Sequence, residues 1–185
     1  MAGIEDPEVQ LLASIAGALQ GDYVSGAADP WMGSPFEWIK KTPSSRRRGK
    51  IGEQLVAGWS AAKGLDVIAS PDSEADRIIH GYRVEVKFST MWETGIYKFQ
   101  QVRDQDYDYV FCLGVAPFDA HAWFLPKSLL LDHVIGHLGQ HTGANAADTA
   151  WFGFPPGQPL PWLAGHGGSL GDVWSMLSNL SRGPL

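Results

Sequence analysis

The chain has 185 residues and a mass of 20.1 kDa, with 44% hydrophobic residues, which is enough for one buried core and leads us to expect a single domain with decorated ends. A single cysteine, Cys112, excludes an intramolecular disulfide framework and a cysteine-cluster zinc site. No basic start is followed by a long apolar run, so neither a signal peptide nor a membrane span is expected and the sequence reads as cytoplasmic.

The net charge of -6 is unevenly spread. Residues 40–103 hold 12 of the 14 Lys and Arg but only 7 of the 20 Asp and Glu, so a basic centre (+5) lies within an acidic periphery (-11). A phosphate-bearing partner is compatible with that centre in spite of the overall sign.

From the start, Pro7 to about Gln20 carries Val9, Leu11, Leu12, Ile15, Ala16 and Leu19 at helical spacing and reads as an amphipathic packing helix or dimer contact. Gly21 to Pro43 is rich in Gly, Pro and Ser and reads as an irregular arm whose Trp31, Phe36 and Trp38 dock on the core. Next comes the densest basic run, Ser44 to Lys50, in which Arg46, Arg47, Arg48 and Lys50 are placed to grip a phosphate backbone or to form a solvated surface. Ser44 or Ser45 is a candidate cap for the helix that Gly49 opens and that runs to about Lys63. Ile51, Leu55, Trp59 and Ala62 form its apolar stripe, and Glu53 lies nearly opposite Ile51. Gly64 ends the helix, and Leu65 to Ala69 reads as a short strand.

Arg77 to His80 and Tyr82 to Ser89 then flank Gly81 as a tight hairpin. In the second arm Tyr82, Val84, Val86 and Phe88 alternate with Arg83, Glu85, Lys87 and Ser89, so Glu85 and Lys87 share a face at roughly 6 to 7 Å. That face is either the solvated side of a sheet with an incidental charge pair, or a site. In the second case Asp76 leaves the neighbouring strand close to Glu85, and two converging carboxylates need a cation. Hard oxygen ligands beside an ammonium suit Mg²⁺ and a phosphate substrate.

Asp76, Glu85 and Lys87 in a hairpin resemble the signature of the PD-(D/E)XK nuclease superfamily, with Ala75 in place of the Pro of that name. The matching order covers roughly Arg46 to Lys127. The resemblance implies an α/β, restriction-endonuclease-like fold: a mixed β-sheet core flanked by helices, here with an N-terminal helix and arm (1–45) and a loop-rich C-terminal appendage (128–185). It further implies that Asp76, Glu85 and the Val86 carbonyl hold Mg²⁺, that Lys87 is catalytic, and that the upstream Glu53 is a catalytic-site carboxylate.

After the hairpin, Thr90 to Gly95 reads as a loop with Trp92 and Glu93, and Ile96 to about Arg103 as a second helix. Lys98, Gln100, Gln101 and Arg103 on it are candidates for contacts to phosphates or base edges. Asp104, Asp106 and Asp108 lack the Gly and Glu of a calcium loop and read as turn and capping acids. Tyr109 to Val115, with Cys112 as a buried thiol, and Ala120 to Leu125 are strands. Ser128 to Leu138 reads as a helix with His133 and His137 on one face and His141 four residues on, a spacing that suits zinc but lacks a completing acid or cysteine. The Gly- and Pro-rich stretch to Gly168 reads as a folded loop region, and Ser169 to Leu180 as a closing helix with Val173, Met176, Leu177 and Leu180 as its stripe.

These features lead us to expect a Mg²⁺-dependent endonuclease on double-stranded DNA, foremost a restriction-type homodimer. A structure-specific nuclease such as a junction resolvase, or a non-catalytic DNA-binding module on the same fold, are the alternatives.

Overall fold

His80 and Gly81 both take positive φ, 53° and 83°, which is the backbone of a type I′ turn, and their turn fixes Ile79 opposite Tyr82. The hairpin expected around Gly81 is therefore formed, by β2 (Arg77–Ile79) and β3 (Tyr82–Thr90). The computed structural model to which these elements belong describes residues 10–15, 29–139 and 149–184, and the chain divides into two compact units, Met1–Met32 and Gly33–Leu185. In the first unit residues 10–15 are helical with Leu11, Leu12 and Ile15 exposed; the rest of the expected first helix, Val9, Ala16 and Leu19 included, lies outside the described residues.

The second unit is built on a five-stranded mixed sheet in the order β1-β2-β3-β5-β6, flanked by helices. β1 (Val67–Ala69) pairs antiparallel with β2, and β3 runs parallel to β5 (Tyr109–Ala116) from Val84 opposite Tyr109 to Thr90 opposite Val115. β6 (Asp119–Pro126) returns antiparallel to β5 across the whole length of both. The two faces of β5 are both covered, so its residues from Val110 onward are buried.

Along β5, Phe111 and Leu113 face α2 (Ser45–Ala62), and the Trp59 ring meets Phe111 edge-on at 5.8 Å. α1 (Glu37–Lys41) is a short helix before it, whose Trp38 stays 57% exposed among the described residues instead of docking. Ser44 caps α2 by accepting the Arg47 N–H, so the helix begins four residues before Gly49 and the arginine run forms its first turn. Its buried face is Gly52, Val56 and Ser60, one position on from the expected stripe of Ile51, Leu55, Trp59 and Ala62. Size explains the difference. A Cβ on Gly52 would sit 2.3 Å from Phe88 Cβ, so the helix lies on β3 too closely for a large residue, and the bulky stripe packs along the flank.

Val110 and Cys112 point to the opposite face, into a cluster with Tyr97, Phe99, Trp123, Phe152, Phe154 and Leu163. Tyr97 and Phe99 belong to β4 (Tyr97–Val102), which corrects the helix expected over Ile96 to Arg103. Tyr97 and Phe99 are buried with Lys98 between them, a two-residue period, and the pairing partner is β7 (Ala150–Phe154) about fifty residues later. The stretch read as loop thus holds a strand that supplies core residues. α3 (Lys127–His133) is shorter than the expected helix, and α4 (Leu170–Asn179) buries Val173 and Leu177 under a Ser169–Asp172 capping box. Among the described residues, no helix is long and apolar enough to cross a membrane.

Candidate active site

β2 begins at Arg77 opposite Val84, so β3 runs on from Glu85 to Thr90 without a β2 partner. The chain just before β2 closes this gap: the Asp76 N–H donates to the Val84 carbonyl at 3.1 Å, and Asp76 Oδ2 accepts the Val86 N–H at 2.8 Å. The side chain of Asp76 thus takes the place of a missing strand and is aimed at the open edge of β3.

The face of β3 that carries Glu85, Lys87 and Ser89 lies under β4, where the Ser89 hydroxyl accepts the Lys98 N–H at 2.9 Å. This cover leaves Glu85 only 9% exposed, so the face is not a solvated one. Asp76 and Glu85 come within hydrogen-bonding reach of each other. Burial first, and the charge of Glu85 second, hold the Asp76 carboxyl above its ordinary value, against the opposing pull of the Val86 N–H and the Lys87 ammonium. Lys87 Nζ is 2.7 Å from Glu85 Oε1 and donates to the Gln101 carbonyl at 2.8 Å. Gln101 offers that carbonyl from a left-handed conformation, φ 55°, at the point where the β4–β7 register shifts.

Glu53 reaches the same cleft from α2. Its carboxylate pairs with Lys50 at 2.6 Å and with Arg77 at 3.4 Å, and Arg77 also donates to the Asp76 carbonyl at 2.6 Å. A link therefore runs from helix to hairpin immediately beside Asp76. The four expected catalytic residues and Val86 all line one open cleft of about 930 Å³. Among its walls, six cations (Lys40, Arg46, Arg48, Lys50, Lys87, Lys98) stand against four carboxylates (Glu53, Asp76, Glu85, Glu93).

Of the residues expected to meet nucleic acid, Arg46, Arg48, Lys50, Lys98, Gln100 and Gln101 line this cleft, whereas Arg47 and Arg103 are exposed outside it. Sequence reasoning did not single out Lys40, Trp92 or Glu93 as cleft residues. Lys40 holds the Met91 carbonyl at 2.8 Å, and its only local signal was membership of the basic centre.

Asp76, Glu85 and the neighbouring carbonyls provide oxygen donors alone, which suits a hard cation such as Mg²⁺, and a cation there would counter the burial and the Glu85 charge that raise the Asp76 carboxyl. Among the described residues no three His, Cys, Asp or Glu side chains are already grouped to hold a metal. His133 instead stacks on Trp162 at 5.3 Å, and His141 lies outside the described residues. Asp104 pairs with Lys127 at 2.7 Å, Asp106 lies 3.6 Å from the Arg83 guanidinium, and Asp108 accepts the Arg83 backbone N–H at 2.9 Å, so each faces a basic residue or a backbone donor. Burial pushes the Cys112 thiol up, which suits the inert core residue expected there.

No protein-family model matches the chain, and no curated protein matches it either. Among solved structures, the chain is similar to a bacterial homing endonuclease, I-Ssp6803I, at 15% sequence identity, covering 73% of this chain and 94% of that one with a TM-score of 0.48.

Proposed function

We propose that the cleft hydrolyses phosphodiester bonds of double-stranded DNA with Mg²⁺ as cofactor, as an endonuclease. The observation that carries this reading is the meeting of the Asp76 and Glu85 carboxylates, with Lys87 Nζ 2.7 Å from Glu85, in a cleft lined by Arg46, Arg48 and Lys50. The Asp76 carboxyl is held above its ordinary value by burial and by the nearby charge of Glu85, and a divalent cation bound there would favour its ionised form. Asp76, Glu85 and the Val86 carbonyl would hold it. When bound, Mg²⁺ supplies Lewis-acid polarisation of a phosphoryl oxygen and a water of lowered pKa.

The chain's own groups do the rest. Lys87, fixed between Glu85 and the Gln101 carbonyl, orients the attacking water and stabilises negative charge developing on the phosphate. Arg46, Arg48, Lys50 and Lys98 bind the flanking phosphates, with Gln100 and Gln101 as contacts beside them. Glu53 would hold a water of the site once Lys50 turns from it to a phosphate. The same residues carry the resemblance to PD-(D/E)XK nucleases.

The narrower proposal is a restriction-type enzyme, a homodimer that matches a palindromic site. Supercoiled plasmid incubated with the protein tests both levels. Cutting with Mg²⁺, none with EDTA and at least about a hundredfold loss in Glu85→Ala support the nuclease. Discrete fragments favour the restriction-type form and random nicks contradict it. No cutting by the native chain, or equal cutting by Glu85→Ala, contradicts the proposed site.

A further inference from the structure

Two aromatic residues, Phe88 and Trp92, line the cleft among the described residues; Phe88 is half-buried against α2, whereas Trp92 is exposed in a built setting. Trp92 lines the cleft and is 44% exposed. Its loop is fastened at both ends: Met91 N–H donates to the Val115 carbonyl at 2.8 Å, Trp92 N–H to Ile96 at 2.9 Å, and Gly95 N–H back to Trp92 at 2.9 Å with Gly95 at φ 75°. The Lys98 ammonium lies 4.5 Å from the Trp92 ring and 4.5 Å from that of Trp151, so a cation fixes the orientation of the indole.

We propose that Trp92 is a stacking platform for a nucleobase that has left the duplex stack near the scissile phosphate. The proposal rests on the reading of the cleft as a DNA site. A nucleotide has an anionic half and a flat π half, and here cations and a rigid, accessible indole stand side by side to take the two. A base inside an intact duplex has both faces covered by its neighbours, so it offers an indole nothing to stack on. An unpaired or extruded base does, and the contact tolerates any sequence because every base has a π face. The substrate class assigned is therefore DNA with a locally opened segment, and Lys98 serves the adjacent phosphate while it orients the ring.

Binding without divalent metal, so that no strand is cut, separates this proposal from the one beneath it. The probes are a fully paired duplex and the same duplex with a three-nucleotide bubble that holds 2-aminopurine, titrated with the native chain, Trp92→Ala and Trp92→Phe, each first checked by thermal melting. We expect the native chain to prefer the bubble and to quench 2-aminopurine. Trp92→Ala should lose the quench and about tenfold in bubble affinity while duplex affinity stays, and Trp92→Phe should keep most of both. Equal binding of both probes by native chain and Trp92→Ala overturns the platform and leaves the DNA cleft standing. Absence of binding to either probe by the native chain overturns both.

Discussion

Asp76 bears the energetic cost of the site. Its folded carboxyl titrates above the unfolded value, first through burial and then through Glu85. The protonated form is thus favoured by folding: its contribution is complete below the unfolded pKa, roughly 3.9, and is lost as pH rises through the folded value. In metal-free protein, Asp76→Asn should therefore raise the melting temperature near neutral pH, and the gain should vanish below about pH 4. Added Mg²⁺ should raise the melting temperature of the native chain and not that of Asp76→Asn. Thermal melts across pH with EDTA and with Mg²⁺ check both outcomes, and a lower melting temperature for Asp76→Asn at pH 7 would count against a repulsive pair. The alternation Glu85–Val86–Lys87 and the turn at Gly81 made these residues legible in the sequence, because strand period and hairpin register are local properties. The burial of Glu85 was not legible, since β4 covers it through contacts that no local pattern encodes.

At the scale of elements, two of the misread segments have related causes. Residues 96–103 carry amides and a bulge at Gln101 that break strand alternation, and the strand that pairs with them begins at Ala150. The buried face of α2 was misplaced because Gly52 and Ser60 are small and carry no apolar signal, yet they mark the closest approach to the sheet. This contact sets Glu53, Arg46 and Arg48 along the cleft beside β3. Gly52→Ala should destabilise by about 1 to 3 kcal/mol, as overpacking does, and weaken cleavage by lifting α2. Gly58→Ala, on the same helix with nothing within 4 Å of the added Cβ, should stabilise by about 0.5 to 1 kcal/mol. Denaturant unfolding of the two variants measures this contrast, and equal effects would refute the close-contact account.

At the scale of the whole molecule, an acidic protein draws its cations into a central stretch of chain, and six of its 14 Lys and Arg line one cleft. That distribution was visible in the sequence, as 12 of 14 Lys and Arg within residues 40–103, but the side of α2 on which each arginine falls was not. Arg46 lines the cleft and Arg47 does not, although they are neighbours in the first turn. DNA affinity should fall linearly with salt on logarithmic axes, and Arg46→Ala should reduce the slope by about 1 whereas Arg47→Ala leaves it unchanged. Binding titrations between low and moderate salt decide this, and equal slopes for the two variants would detach the cleft from DNA. The most direct test of the site itself compares Lys87→Ala with the native chain on the same labelled DNA, with cleavage and binding measured side by side. We expect binding within about twofold and Mg²⁺-dependent cleavage slower by about a hundredfold or more. Cleavage at the native rate would remove Lys87, and with it the Asp76–Glu85–Lys87 constellation, from the chemistry.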